Sequence, residues 1–203
     1  MGVTQNLTKD YDGDDLYPSW SRDGKLIAFW SSREGGGYFT ISPRGGRVEN
    51  VATLNSRNPV QPGPPQWSPD CSKLAFVVYD SLDYRIGIFS LKGDKRTIKL
   101  PKTINHPPGW ELTWSPDGHF FAYVTMWTYA TALSPLYIVR VQDNSVFRVT
   151  DAKYLDKSPS FSKDGRTLFS FQIVVVVWIY GRCGSTRMER QKSNHNKSLL
   201  VLR

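Results

Sequence analysis

The sequence predicts an all-β protein assembled from one repeated unit of four short strands. Three observations predict it. The first is a motif that returns at a fixed interval. Trp20, Trp67, Trp114 and Phe161 stand 47 residues apart and open the copies W-S-R-D-G, W-S-P-D-C, W-S-P-D-G and F-S-K-D-G. The second is an apolar triplet at a fixed offset behind each of the first three anchors: Ile27-Ala28-Phe29, Leu74-Ala75-Phe76 and Phe121-Ala122-Tyr123. The third is composition. Aromatic residues make up 13% of the chain, with 16 Gly and 13 Pro among 203 residues, which suits many short strands joined by turns.

The motif reads as a hairpin. Pro69 and Pro116 preset φ at the second turn position, and Ser and Gly suit the first and fourth. The aromatic anchor ends one strand and the triplet starts the next. Three consecutive apolar residues do not fit a half-solvated strand. They fit one covered on both faces, with the middle Ala facing a tight gap. Third strands are expected at 38–42, 86–91 and 136–141, and fourth strands at 48–53, 97–100 and 146–150. Pro43-Arg44-Gly45-Gly46, Lys92-Gly93-Asp94 and Gln142-Asp143-Asn144 turn between them. Four strands in 47 residues make one propeller blade.

With Pro18-Ser19-Trp20-Ser21, Pro65-Gln66-Trp67-Ser68 and Pro159-Ser160-Phe161-Ser162, the chain resembles the TolB-like, WD-like β-propeller repeat, whose pattern runs P-x-W-S-P-D-G-x-x-I-A-F. The third copy has Leu112 where Pro would stand. The resemblance covers about residues 4–180 and implies a TolB-like propeller with three complete blades and partial ones. Residues 4–8 (T-Q-N-L-T) are expected to be the closing strand of a preceding blade, and the whole to be part of a parent with about six blades. In that reading Trp20, Asp23, Trp67, Asp70, Trp114, Asp117, Phe161 and Asp164 are repeat-structural. Asp15 and Asp156, each three residues before a Pro, are also read as structural, for example in an Asx turn entering the first strand.

Residues 181–203 fall outside the pattern. They carry Arg182, Arg187, Arg190, Lys192, Lys197 and Arg203 against Glu189, so +5 of the net charge of +8 sits in this tail. The 1–180 portion has no clustered basic stripe, so no specific nucleic-acid partner is expected. The codons for Tyr180-Gly181-Arg182-Cys183-Gly184, read one base later, permit M-V-D-A-D/G, and those for Gln191 to His195 permit K-N-L-T. The tail therefore reads as a frameshifted continuation of the repeats, or else as a divergent basic extension.

Catalytic signatures are missing. There is no G-x-S-x-G elbow, phosphate loop or C-x-x-C. His106, His119 and His195 are scattered over loops and turns. Asp12, Asp14 and Asp15 lack calcium-loop spacing, and Cys71 and Cys183 give neither a metal spacing nor a disulfide framework. No metal, no cofactor and no enzymatic activity are expected. No apolar stretch reaches transmembrane length, and residues 1–7 have neither the basic start nor the apolar core of a signal peptide.

Function is then sought in the loops that differ between repeats. Residues 58–110 hold two Pro-rich approaches to first strands, the second ending at Trp110. Residues 127–135 form a long loop with Trp127 and Tyr129. Trp110, Trp127 and Tyr129 are the candidate partner-binding residues, as aromatic anchors for a protein partner. The resemblance implies a bacterial scaffold without enzymatic activity that binds proteins through one propeller face, in the periplasm or cell envelope. The alternative is the propeller domain of a prolyl-oligopeptidase-like serine peptidase lacking its catalytic domain. The uncharged run Ile173-Val174-Val175-Val176-Val177-Trp178-Ile179 and bare blade faces make the isolated chain prone to self-association.

Overall fold

The computed structural model describes residues 4–54, 63–80, 83–99, 108–125, 134–151, 156–171, 176–179, 188–193 and 197–202. The chain divides into two compact units, 1–99 and 100–203.

In the first unit, β1 (Asp15–Trp20), β2 (Ile27–Ser31), β3 (Gly37–Ile41) and β4 (Glu49–Thr53) form an antiparallel meander. A second follows: β5 (Gln66–Trp67), β6 (Lys73–Asp80), β7 (Asp83–Ser90) and β8 (Lys95–Lys99). The second unit holds a third meander, β9 (Pro108–Trp114), β10 (Phe120–Thr125), β11 (Leu136–Arg140) and β12 (Val146–Arg148), then the pair β13 (Lys157–Phe161) and β14 (Leu168–Phe171). The repeat thus sets strand order as well as spacing. The expected third and fourth strands are present, with ends shifted by at most three residues.

The apolar triplets lie where burial demands them. Ala28, Leu74, Ala75, Phe76, Phe121, Ala122 and Tyr123 are buried, on strands that pair on both edges. The first two meanders share one core of Ala28, Tyr38, Val51, Ala52, Leu74, Phe76 and Phe89. The third meander shares another with the following pair, in which Ala122, Val124, Leu136, Ile138 and Val149 meet Leu168. The small Ala lets a neighbouring sheet approach closely, which is why it recurs.

One expectation needs correction. Residues 4–8 are not a strand: the Asn6 side chain accepts from the Thr8 backbone N–H and residues 7–10 form a turn, while Leu7 packs on Phe29, Phe39 and Ile41. A local side-chain acceptor competes there with any ladder. β16 (Met188–Ser193) and β17 (Lys197–Leu202) pair antiparallel. β15 (Val176–Ile179) pairs parallel with β17.

Pro18 and Pro159, two residues before their anchors, have a structural reason that composition hides. The β1–β2 register shifts between Leu16 and Ser19, and the β13–β14 register shifts between Lys157 and Ser160. At these bulges Tyr17 and Ser158 take φ of 56° and 48°, immediately before Pro18 and Pro159. An extra residue in one strand increases local twist and turns the strand toward its anchor.

Candidate functional site

The polar residues of the motif are held by four copies of one turn. In the first, Gly24 N–H donates to the Ser21 carbonyl at 2.9 Å, as a β-turn requires. The Ser21 hydroxyl donates to Asp23 at 2.8 Å and accepts the Leu26 N–H at 2.9 Å, and Asp23 also accepts the Lys25 N–H at 3.1 Å. Ser68–Asp70, Ser115–Asp117 and Ser162–Asp164 repeat the arrangement, with hydroxyl to carboxylate distances of 2.5, 2.5 and 2.6 Å. Sequence alone placed the serine at the first turn position and the aspartate in the repeat, but did not show the hydroxyl bond that links them. Hydrogen bonds to the charged form hold Asp23, Asp70 and Asp164 below the usual carboxylate range, Asp70 at about 2. Cys71 occupies the fourth turn position with φ 57°, where Gly24, Gly118 and Gly165 have 70°, 73° and 70°.

Two of the anchors, Trp67 and Phe161, have a second role, which is to pack on the core of the preceding meander. Trp67 Nε1 donates to the Ser19 carbonyl at 2.9 Å, and Tyr38 Oη donates to the Gly63 carbonyl at 2.8 Å. Trp67 packs on the core containing Ala28 and Tyr38. Trp114 lies against Phe121, and Phe161 packs on the Ala122 cluster. Trp20 differs, at 58% exposure.

Two further polar groupings are fully engaged in architecture. Arg33 makes a two-pronged ion pair with Asp15 at 3.0 and 3.1 Å, donates to Ser31 Oγ at 3.2 Å and lies 4.1 Å from the centre of the Tyr11 ring. Asp156, 1% exposed, accepts from Thr150 Oγ1 at 2.6 Å and Ser170 Oγ at 3.0 Å. Burial raises its pKa, the two hydroxyls act in the opposite sense, and Asp151 adds a further rise. The equal offset of Asp15 and Asp156 from a proline therefore hides different partners, and neither carboxylate forms the suggested Asx turn in the structure.

The candidate binding aromatics are placed as follows. Trp110 lies on β9, not in a loop; β9 runs on to Pro108, which faces Thr125. Trp127 and Tyr129 lie outside the described residues, as do His106, His195 and Cys183. His119 follows the turn, its backbone N–H held by Asp117 at 3.0 Å. Among the described residues no cluster of His, Cys, Asp and Glu could hold a metal ion, and no helix is long and apolar enough to cross a membrane.

Successive four-stranded antiparallel meanders, each with an aromatic anchor at the end of its first strand, define a β-propeller repeat protein. No protein-family model matches the chain. It is 30% identical over 103 residues to the Tol-Pal system protein TolB of Francisella tularensis subsp. holarctica, a match spanning 48% of this chain and 22% of that relative. A structure titled as a putative TolB from Agrobacterium tumefaciens superposes with a TM-score of 0.58 at 22% identity, over 75% of this chain and 52% of that one. TolB from Acinetobacter baumannii gives 0.58 at 18% identity, over 94% and 46%. The tricorn protease gives 0.58 at 17%, over 77% of this chain and 15% of that one. The chain thus has the fold of a TolB-like β-propeller, and it spans about half the length of the TolB structures it matches.

Proposed function

We propose that this chain is a non-enzymatic propeller scaffold that binds a protein partner through loops, with Trp110, Trp127 and Tyr129 as candidate contacts and the cell envelope as its setting. One observation carries the reading. The polar side chains the repeat brings together, from Ser21–Asp23 to Ser162–Asp164, are consumed in holding turns, so the recurring motif offers architecture and leaves recognition to residues that differ between repeats. The likeness to the tricorn protease favours one second reading, a propeller that serves a peptidase domain.

The curated relative is named for a Tol-Pal system, so purified Pal is the first probe. Calorimetric titration of the chain with Pal should show saturable binding. Joint replacement of Trp127 and Tyr129 by Ala should weaken it about tenfold or more, as expected when aromatic anchors are lost from an interface. Asp23→Ala should leave the affinity of the folded fraction unchanged. Equal affinity in the aromatic variant would place the contact elsewhere. Peptide hydrolysis on joining a catalytic domain would favour the second reading.

A further inference from the structure

The strand order of the first unit gathers charge that the sequence scatters. Strands alternate in direction along each meander, so the turns after its first and third strands leave at the same end. The bond from Trp67 Nε1 to the Ser19 carbonyl sets anchor beside anchor, so both meanders present these turns at one end of the unit. The first meander places Arg22, Lys25, Arg44 and Arg47 there, all exposed. The second adds Lys73, Lys92, Lys95 and Arg96, also exposed. Four carboxylates stand among these cations. Asp23, Glu49 and Asp70 lie 3.3, 3.2 and 4.0 Å from Lys25, Arg47 and Lys73, and Asp94 is the fourth. Arg22, Arg44, Lys92 and Lys95 take part in none of these pairs. At the other end of the first meander, Asp10, Asp12 and Asp14 are exposed, with Asp14 bonded through its backbone to Ser32 in the β2–β3 turn. The matching turns of the third meander hold Arg140 against Asp117 and Asp143, so the basic surplus does not come with the repeat.

We propose that this turn end of the first unit docks an acidic segment of a protein partner. Charge complementarity selects the occupant: a surplus of exposed cations at one end and exposed aspartates at the other orient an approaching acidic chain toward the turns. The carboxylates at Asp23, Asp70 and Asp94 decide between kinds of anion. They sit between the cations and repel a continuous run of phosphates, whereas single Glu or Asp side chains settle between them as discrete charges. Leu91, 38% exposed beside Lys92, adds an apolar contact of the kind a peptide uses. The surface is built from turns other than the segments that carry Trp110, Trp127 and Tyr129, and it does not rest on those residues as contacts.

Fluorescence anisotropy tests this with the full chain and a labelled peptide of about ten glutamates, long enough at ~3.4 Å per residue to cross two sheets packed about 10 Å apart. Wild type should bind, and its affinity should fall steeply between about 0.05 and about 0.5 M salt as exposed charges are screened. Joint reversal of the unpaired cations, Arg22→Glu with Arg44→Glu and Lys92→Glu, should weaken binding at least about tenfold. The three sites are exposed, so matched melting curves are expected. Gln at the same three positions gives a second variant, which should weaken binding in the same direction by less. Reversal in the basic tail, Arg187→Glu with Arg190→Glu, should change the affinity far less. Joint replacement of Trp127 and Tyr129 by Ala should leave it unchanged, which separates this surface from the contacts proposed for Pal. No binding by wild type, unchanged affinity in the Arg22 set, or an equal loss in the tail or aromatic variant would overturn the proposal. Tighter binding of a duplex oligonucleotide, lost in the Arg22 set, would overturn it in favour of nucleic acid.

Discussion

The seam between the first two meanders and the seam between the third meander and the following pair use the same strands in different ways. The first is aromatic. Tyr38 stacks on Phe76 with ring centres 3.8 Å apart, Phe76 stacks on Phe89 at 4.7 Å, and Trp67 closes the edge through its bond to the Ser19 carbonyl. The second is aliphatic, bordered by a buried carboxylate. Thr150 Oγ1 accepts the Leu136 N–H at 3.0 Å and passes its own proton toward Asp156, which Ser170 also holds, while the Asp156 N–H donates to the Ser134 carbonyl at 3.1 Å. A repeat therefore fixes where a seam falls and leaves its chemistry free. In the first seam burial raises the phenol of Tyr38; in the second, burial shifts the Asp156 carboxyl upward.

The largest effect that can break the comparison is loss of the aromatic stack. Phe76→Ala should cost about 3–5 kcal/mol, the range for a buried aromatic truncated in a close-packed core. Chemical denaturation should show the first unit failing before the second. A loss below about 1 kcal/mol would mean that the stack does not hold the seam.

The polar seam should be the weaker lever. Asp156→Ala leaves the Thr150 and Ser170 hydroxyls buried without their acceptor, at about 1–3 kcal/mol. Its urea midpoint should fall less than that of Phe76→Ala. A larger fall would reverse the ranking of the two seams.

A smaller change sharpens the view that the turns are interchangeable parts. Cys71 holds a left-handed conformation that its sister repeats assign to Gly. Cys71→Gly removes a penalty of about 1–2 kcal/mol and loosens the unfolded chain by part of that amount, so a net gain of about 0.5–1 kcal/mol is expected in the denaturation midpoint. No gain would show that the turn in the second repeat is built differently from the other three.

Much of this was legible because turns are local. The Trp-Ser-x-Asp-Gly spacing encodes a left-handed fourth position and a hairpin, and the triplets behind it encode two-sided burial, so strand order follows from 47-residue arithmetic. The seams were not legible. Thr150 and Ser170 stand 6 and 14 residues from Asp156 and meet it in a way no short pattern states, and Tyr38 reaches Gly63 across 25 residues. Residues 4–8 look like a strand by composition and become a turn because Asn6 captures a backbone N–H. Trp20 shares its sequence context with Trp67 and Trp114, yet it is the anchor left exposed, which depends on what lies against it and not on the motif.

The most direct test of the two-seam account is hydrogen exchange at pH about 8 and about 4.5, corrected for intrinsic rates. The pKa of Asp156 is raised in the folded state, so its favourable contribution is greatest below the ordinary carboxylate value of about 4. That contribution is lost as pH rises through the window up to its raised value. Asp70 has the opposite sign: it is depressed to about 2, so its contribution holds above about pH 4 and disappears only in stronger acid. Acidification to about 4.5 should therefore increase protection at Leu136, Val149 and Leu168 relative to Ala28, Tyr38 and Phe76, and Asp156→Asn should abolish the difference. Equal pH dependence in the two seams, or a difference that persists in Asp156→Asn, would contradict the account.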